Sequence, residues 1–166
     1  NLSDSPWAIS DNHALSAMLR AVMPDEIYSL AAIHGPAGFV YEDVWQQALA
    51  VNTASVHTCL EYLRQHGGPR RLFVANSLKC FGAHPPPEID ERSPRTSTCL
   101  YSISKNAAAD LVDYYRVRHE VCAVSGYLFN HDSPRRDGFF LPRLAAQLAA
   151  HLGRQSAPPL ATLDFW

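Results

Sequence analysis

Three short apolar runs, each parted from the next by a long stretch of helical period, constrain this chain most. Residues 27–32, 71–75 and 121–129 are apolar without alternation, as strands buried on both faces are. Between the first two, residues 42–65 carry Val44, Ala48, Val51, Val56, Leu60 and Leu63 at helical spacing, closed by Gly67, Gly68 and Pro69. Residues 101–119 form the second helical stretch, and residues 139–152 a last amphipathic one. Ahead of the first run, residues 12–22 place Leu15, Met18, Leu19 and Val22 on one stripe. Asp11 or Asn12 can cap that helix and Pro24 ends it. Three consecutive prolines mark residues 84–95 as a loop. Strands joined by helices of ten or more residues require crossover connections, so the chain reads as an α/β fold with a parallel sheet and helices on both faces.

In such sheets ligands sit beyond the carboxyl ends of the strands. That directs attention to residues 31–38, 76–82 and 130–136. None of these holds a GxGxxG turn, and the chain has no GxxxxGK[ST] and no HExxH. A formal charge of −2, from 14 basic and 16 acidic side chains, gives no electrostatic reason to expect nucleic acid as a partner. No apolar run approaches the roughly 20 residues of a spanning helix, so no membrane is expected either. No secretory leader is visible. The four cysteines, Cys59, Cys80, Cys99 and Cys122, are widely spaced, which fits reduced thiols in the cytoplasm better than a disulfide framework. His131 and Asp132 are too few for a metal site, and none is expected.

The chemistry-bearing pattern is Tyr101-Ser102-Ile103-Ser104-Lys105. Four residues apart on a helix, a tyrosine and a lysine share one face. An ammonium beside a phenol favours phenolate, lowering a pKa that is about 10 in water. Such a tyrosine can take a hydroxyl proton while hydride leaves the adjacent carbon. Lys105 and Lys79 are the only lysines among 14 cationic side chains, which makes a lysine at this position more telling. Ser77, just past the second strand, can meet the same substrate oxygen.

The segments IYSLAA, VANSLKCFG, YSISK and above all FNHDSPRR (residues 129–136) resemble the extended short-chain dehydrogenase/reductases, and within them the GDP-mannose 4,6-dehydratase family. The similarity runs from about Asp11 to about Leu152. It implies a Rossmann-type sheet, with residues 1–166 as a partial NAD(P)-binding domain that lacks the family's first strands and its carboxyl-terminal substrate domain. It also implies NADP as cofactor, a GDP-mannose-like nucleotide sugar as substrate, and a homo-oligomer. The reaction implied is oxidation at C4, loss of water across C5–C6 and return of the hydride to C6.

Residue by residue, the resemblance makes Tyr101 the catalytic tyrosine, Lys105 its partner and a ligand of the nicotinamide ribose, and Ser77 a ligand of the sugar hydroxyl. Leu30, Ala31, Ala32 and Ile33 match a cofactor-lining stretch. Trp45, His131 and Arg136 fall at cofactor-contacting positions, and Asn130 and Arg143 at sugar-nucleotide positions. Two departures stand out. Lys79 occupies the place of the glutamate that serves as general base, and the glycine-rich cofactor turn is absent from the sequence. An ammonium with a pKa about 10.4 cannot accept a proton near neutrality unless it is desolvated, so Lys79 bears on the dehydration step specifically. The alternatives are a nucleotide-sugar 4-epimerase or 4-keto reductase, which needs no such base, or an inert fragment or subunit with the same fold.

Overall fold

The computed structural model describes residues 9–35, 38–129 and 140–152. They fall into two compact units, residues 1–34 with 40–129, and residues 35–39 with 130–166. The first unit holds three parallel strands in the order β1-β2-β3: β1 (Glu26–Ser29), β2 (Arg71–Ser77) and β3 (Cys122–Leu128). Ile27 pairs with Leu72, and Leu72 with Ala123, so each strand begins at the same level.

The helices of this unit follow from their sequence signals. In α1 (Asn12–Val22) the Asp11 carboxylate accepts the N–H groups of His13 and Ala14 at 3.0 Å, which selects Asp11 over Asn12 as the cap. Met23 ends α1 in the left-handed region with φ 51°, and its N–H returns to the Leu19 carbonyl at 2.9 Å. Gly67, with φ 58°, closes the second helical stretch in the same manner on Leu63. The third helix, α4 (Leu100–His119), is capped by Cys99, whose sulfur accepts the Ser102 N–H while the Ser102 hydroxyl accepts the Cys99 N–H.

The stretch expected as one helix over 42–65 is four segments. A 3-10 turn (Glu42–Val44) leads into α2 (Trp45–Leu49), a π-turn (Ala50–Ala54) follows, and α3 (Ser55–His66) completes it. The π-turn widens the helix by one residue per turn and lets Val51 and Asn52 both face inward. The Ser55 hydroxyl returns to the Val51 carbonyl at 2.6 Å and the Thr58 hydroxyl to the Ala54 carbonyl at 3.1 Å.

The core lies on one face of the sheet. Leu15 and Leu19 of α1, Val56, Leu60 and Leu63 of α3 and Ala108 and Val112 of α4 pack over Leu72, Val74 and Ala123. Full burial of a leucine or valine is worth roughly 1.5–3 kcal/mol, so these side chains carry the unit. The opposite pleat presents Tyr28, Phe73 and Val124, and the Phe73 ring lies so close over Gly126 that a Cβ there would meet it at 2.6 Å. The residue 84–95 loop is anchored by Arg95, which pairs with Asp110, with Asp113 at 3.0 Å and with the Tyr127 hydroxyl at 2.9 Å. In the second unit the described element is α5 (Phe140–Leu152).

Candidate active site

The site is assembled where β2 ends and α4 begins. Ser77 is the last residue of β2 and also the cap of a 3-10 turn (Leu78–Phe81), where its hydroxyl accepts the Lys79 N–H at 3.2 Å. The same hydroxyl stands near enough to Tyr101, in the first turn of α4, to pull its phenol downward. One turn further, Lys105 donates from Nζ to the carbonyl of Ala75 at 2.7 Å. Four helical residues rise about 6 Å and two strand residues span about 6.6 Å, so α4 running down against β2 matches Tyr101 to Ser77 and Lys105 to Ala75. β1 leaves the ladder opposite Val74, one residue short of that carbonyl, whereas β3 stays paired as far as Ser77.

Both side chains are buried, Tyr101 to 7% exposure and Lys105 to 4%. Burial pushes the Tyr101 phenol up to about 12, against the pull of the Ser77 hydroxyl. Burial brings the Lys105 ammonium down to about 8. The expectation of a phenol made acidic by the neighbouring amine is therefore not met. The amine is turned to a backbone carbonyl, and desolvation of the phenolate outweighs the pull of the Ser77 hydroxyl. At neutral pH the pair is a phenol and an ammonium.

Of two further features, Asn52 gives no signal in the sequence and His34 reads there as the end of a loop rather than as a ligand. The first is Asn52, 1% exposed in the π-turn. Its Oδ1 accepts the Ile33 N–H at 2.8 Å and its Nδ2 donates to the Ile33 carbonyl at 3.2 Å and to the Ser104 hydroxyl at 3.0 Å. Ser104 in turn donates to the Tyr101 carbonyl at 2.8 Å, and the neighbouring Thr53 donates to the Ser104 carbonyl at 2.8 Å. Asn52 thus gives Ile33 the pair of bonds a neighbouring strand would give. β1 ends at Ser29, short of the expected Ala32, and the backbone at Ile33 is held by the Asn52 amide. The second feature is His34, whose ring lies 4.5 Å from that of Tyr101 and whose Nδ1 is bonded to the Tyr41 hydroxyl. A histidine following a strand end was the available signal for it.

The remaining expected residues divide. Leu30, Ala31 and Ala32 line the exposed path after β1, with Ile33 half-buried at its end. Trp45 is half-buried at the start of α2, and Lys79 half-buried in the turn after Ser77. Asn130, His131 and Arg136 lie outside the described residues, as does the side chain of Arg143 in α5. Among the described residues no group of three or more histidines, cysteines or carboxylates is placed to hold a metal, and no helix is long and apolar enough to cross a membrane.

A parallel α/β sheet whose central strand ends on a serine against a buried tyrosine and lysine, one helical turn apart, defines a Rossmann-type protein of the short-chain dehydrogenase/reductase kind. Residues 6–164 match the family model for GDP-mannose 4,6 dehydratase. GDP-mannose 4,6 dehydratase 1 of Arabidopsis thaliana is 34% identical over 151 residues, covering 88% of this chain and 40% of its own length. The Drosophila melanogaster enzyme is 28% identical over 147 residues. Among solved structures, RMD from Pseudomonas aeruginosa complexed with NADPH superposes with a TM-score of 0.71 at 19% identity, over 90% of this chain and 51% of that one. WbmG from Bordetella bronchiseptica in complex with NAD and UDP gives 0.68 at 22% identity, over 86% of this chain and 43% of that one. The chain belongs to the GDP-mannose 4,6-dehydratase family, and it spans about 40% of the length of the curated relatives it matches.

Proposed function

We propose that this chain carries the reaction centre of a nucleotide-sugar dehydratase, with a GDP-mannose-like sugar as substrate and NADP as cofactor. The observation that carries the reading is a buried Tyr101 beside Ser77 at the end of β2, with Lys105 one turn behind and bonded to the Ala75 carbonyl at 2.7 Å. The Ser77 hydroxyl and the Tyr101 phenol converge on one point, where a sugar O4 can exchange hydrogen bonds with both. The fit of the cofactor is tested at Lys105. An ammonium has three N–H donors; Ala75 takes one, and two suit the diol of a nicotinamide ribose.

When bound, the nicotinamide supplies a hydride acceptor and a positive charge. Tyr101 holds the proton of O4: as phenol it donates, and as phenolate it takes the proton when C4 is oxidised. Burial sets the phenol high, so its ionisation would depend on positive charge from the cofactor and from Lys105. Leu30, Ala31, Ala32 and Ile33, fixed by Asn52, would line the cofactor's path, and Trp45, His131 and Arg136 would extend it. Asn130 and Arg143 would hold the sugar nucleotide, and a homo-oligomer in the cytoplasm completes the expectation.

A second reading, a 4-epimerase or 4-keto reductase, is favoured by Lys79 at the place of the family's glutamate. Incubation of GDP-mannose with NADP and this protein, followed by mass spectrometry of the nucleotide sugar, separates the two. Loss of one water supports dehydration; an unchanged mass with inverted C4 supports epimerisation.

A further inference from the structure

We propose that Asn76 is a positioning residue of the reaction centre: it fixes the backbone of Lys105, so that the ammonium keeps one donor on Ala75 and turns the others to the cofactor. The inference rests on the dehydratase reading above, in which those donors meet the nicotinamide ribose. Asn76 stands on β2 between Ala75 and Ser77, on the pleat that Leu72 and Val74 turn into the core. It is 3% exposed, so a buried apolar row ends in an amide. Such an amide must find partners at both ends or cost stability.

Both ends are engaged. Nδ2 donates to the Lys105 carbonyl at 3.3 Å, and Oδ1 accepts the Cys80 thiol at 3.2 Å. The amide can stand only this way round, because a backbone carbonyl accepts and never donates. Lys105 is therefore gripped twice by consecutive residues of β2. The Ala75 carbonyl takes its ammonium at 2.7 Å, and Asn76 takes its own carbonyl. Cys80 steadies the grip. It is fully buried in the turn after Ser77, and its carbonyl accepts from the Thr96 N–H at 2.8 Å and from Asn106 Nδ2 at 3.3 Å.

Helix geometry gives the Lys105 carbonyl the N–H four residues on, so the Asn76 bond is not needed to satisfy it. What the bond adds is position. With only its tip held, a four-carbon side chain can reach Ala75 from several rotamers; holding its root as well selects among them. The rotamer selected sets where the remaining N–H donors point, and a displacement of about 1 Å is enough to lose much of a positioned group's effect. Asn76 acts through Lys105 and need touch neither sugar nor cofactor.

A double-mutant cycle on NADPH binding tests this, read by the fluorescence of the cofactor and needing no turnover. Asn76→Leu keeps the branched shape of the side chain, extends the apolar row and loses both hydrogen bonds. Alone it weakens NADPH binding by roughly tenfold, and Lys105→Met weakens it by more. In the Lys105→Met chain, Asn76→Leu changes the affinity by less than about twofold, because the lysine it positions is gone. A residue that only held the fold would weaken binding by the same factor in both backgrounds. Equal factors therefore overturn the proposal, as does wild-type affinity in either single variant. Should Asn76→Leu fail to fold by circular dichroism, Asn76→Ala takes its place in the cycle. A chain that folds with neither makes Asn76 a residue of the core alone, and that too overturns the proposal. A wild-type protein that does not bind NADPH overturns the cofactor reading, and this proposal with it; binding with additive losses overturns this proposal alone.

Discussion

Lys105 gives its ammonium to the carbonyl oxygen of Ala75 across 2.7 Å, from a side chain only 4% exposed. That contact registers α4 against β2 and brings Tyr101, one turn earlier, near the Ser77 hydroxyl. A charge held in so dry a place costs stability, and what it secures is the register of α4 on β2.

The cost is measurable through pH. Burial lowers the Lys105 ammonium from 10.5 to about 8 in the folded chain. Between those values the unfolded chain binds more protons than the folded one, so stability rises as pH climbs from about 8 to 10.5 and is lost again as pH falls through 8. The depression corresponds to about 3 kcal/mol. Urea denaturation of Lys105→Met lacks this rise, and at pH 7 the variant is more stable than wild type, by about 2 kcal/mol once the lost Ala75 bond is subtracted.

Asn52→Ala leaves the Ile33 N–H and carbonyl and the Ser104 hydroxyl without their amide partner. Removing buried partners costs about 1–3 kcal/mol per orphaned group, reduced where water enters, so a loss of about 2–4 kcal/mol in urea denaturation is expected. Asn52→Asp keeps the acceptor for Ile33 and falls between the two.

Ser77→Ala removes the one hydroxyl that pulls the Tyr101 phenol downward. Loss of a hydrogen bond made to a developing charge lowers kcat by roughly 10–100-fold, with little change in KM. Ser77→Thr, which keeps the hydroxyl, retains most of the rate in the same steady-state assay.

The strands, α1, α4 and the Tyr101–Lys105 face were legible because each rests on local signals: apolar runs, a capping carboxylate, a four-residue spacing. The break in residues 42–66 was not. Asn52 looks like any polar residue in an amphipathic helix, and only its distant partners Ile33 and Ser104 reward the π-turn that buries it. The length of β1 was not legible either, since residues 30–32 are as apolar as a strand, yet the strand ends at Ser29 and the chain is held at Ile33 by Asn52. The ionisation of Tyr101 was misjudged because spacing gives a shared face without giving burial. The phenol sits in a drier place than the ammonium can compensate, with that ammonium turned to Ala75.

In the proposed reaction hydride leaves C4 and is returned to C6 at a centre governed by Tyr101. GDP-mannose deuterated at C4, incubated with NADP and the protein, reports on it by NMR of the product. The account predicts deuterium in a new C6 methyl group with wild type, and a loss of at least about 10²-fold in Tyr101→Phe. Deuterium retained at C4, or a C6 methyl formed by Tyr101→Phe at the wild-type rate, would contradict it.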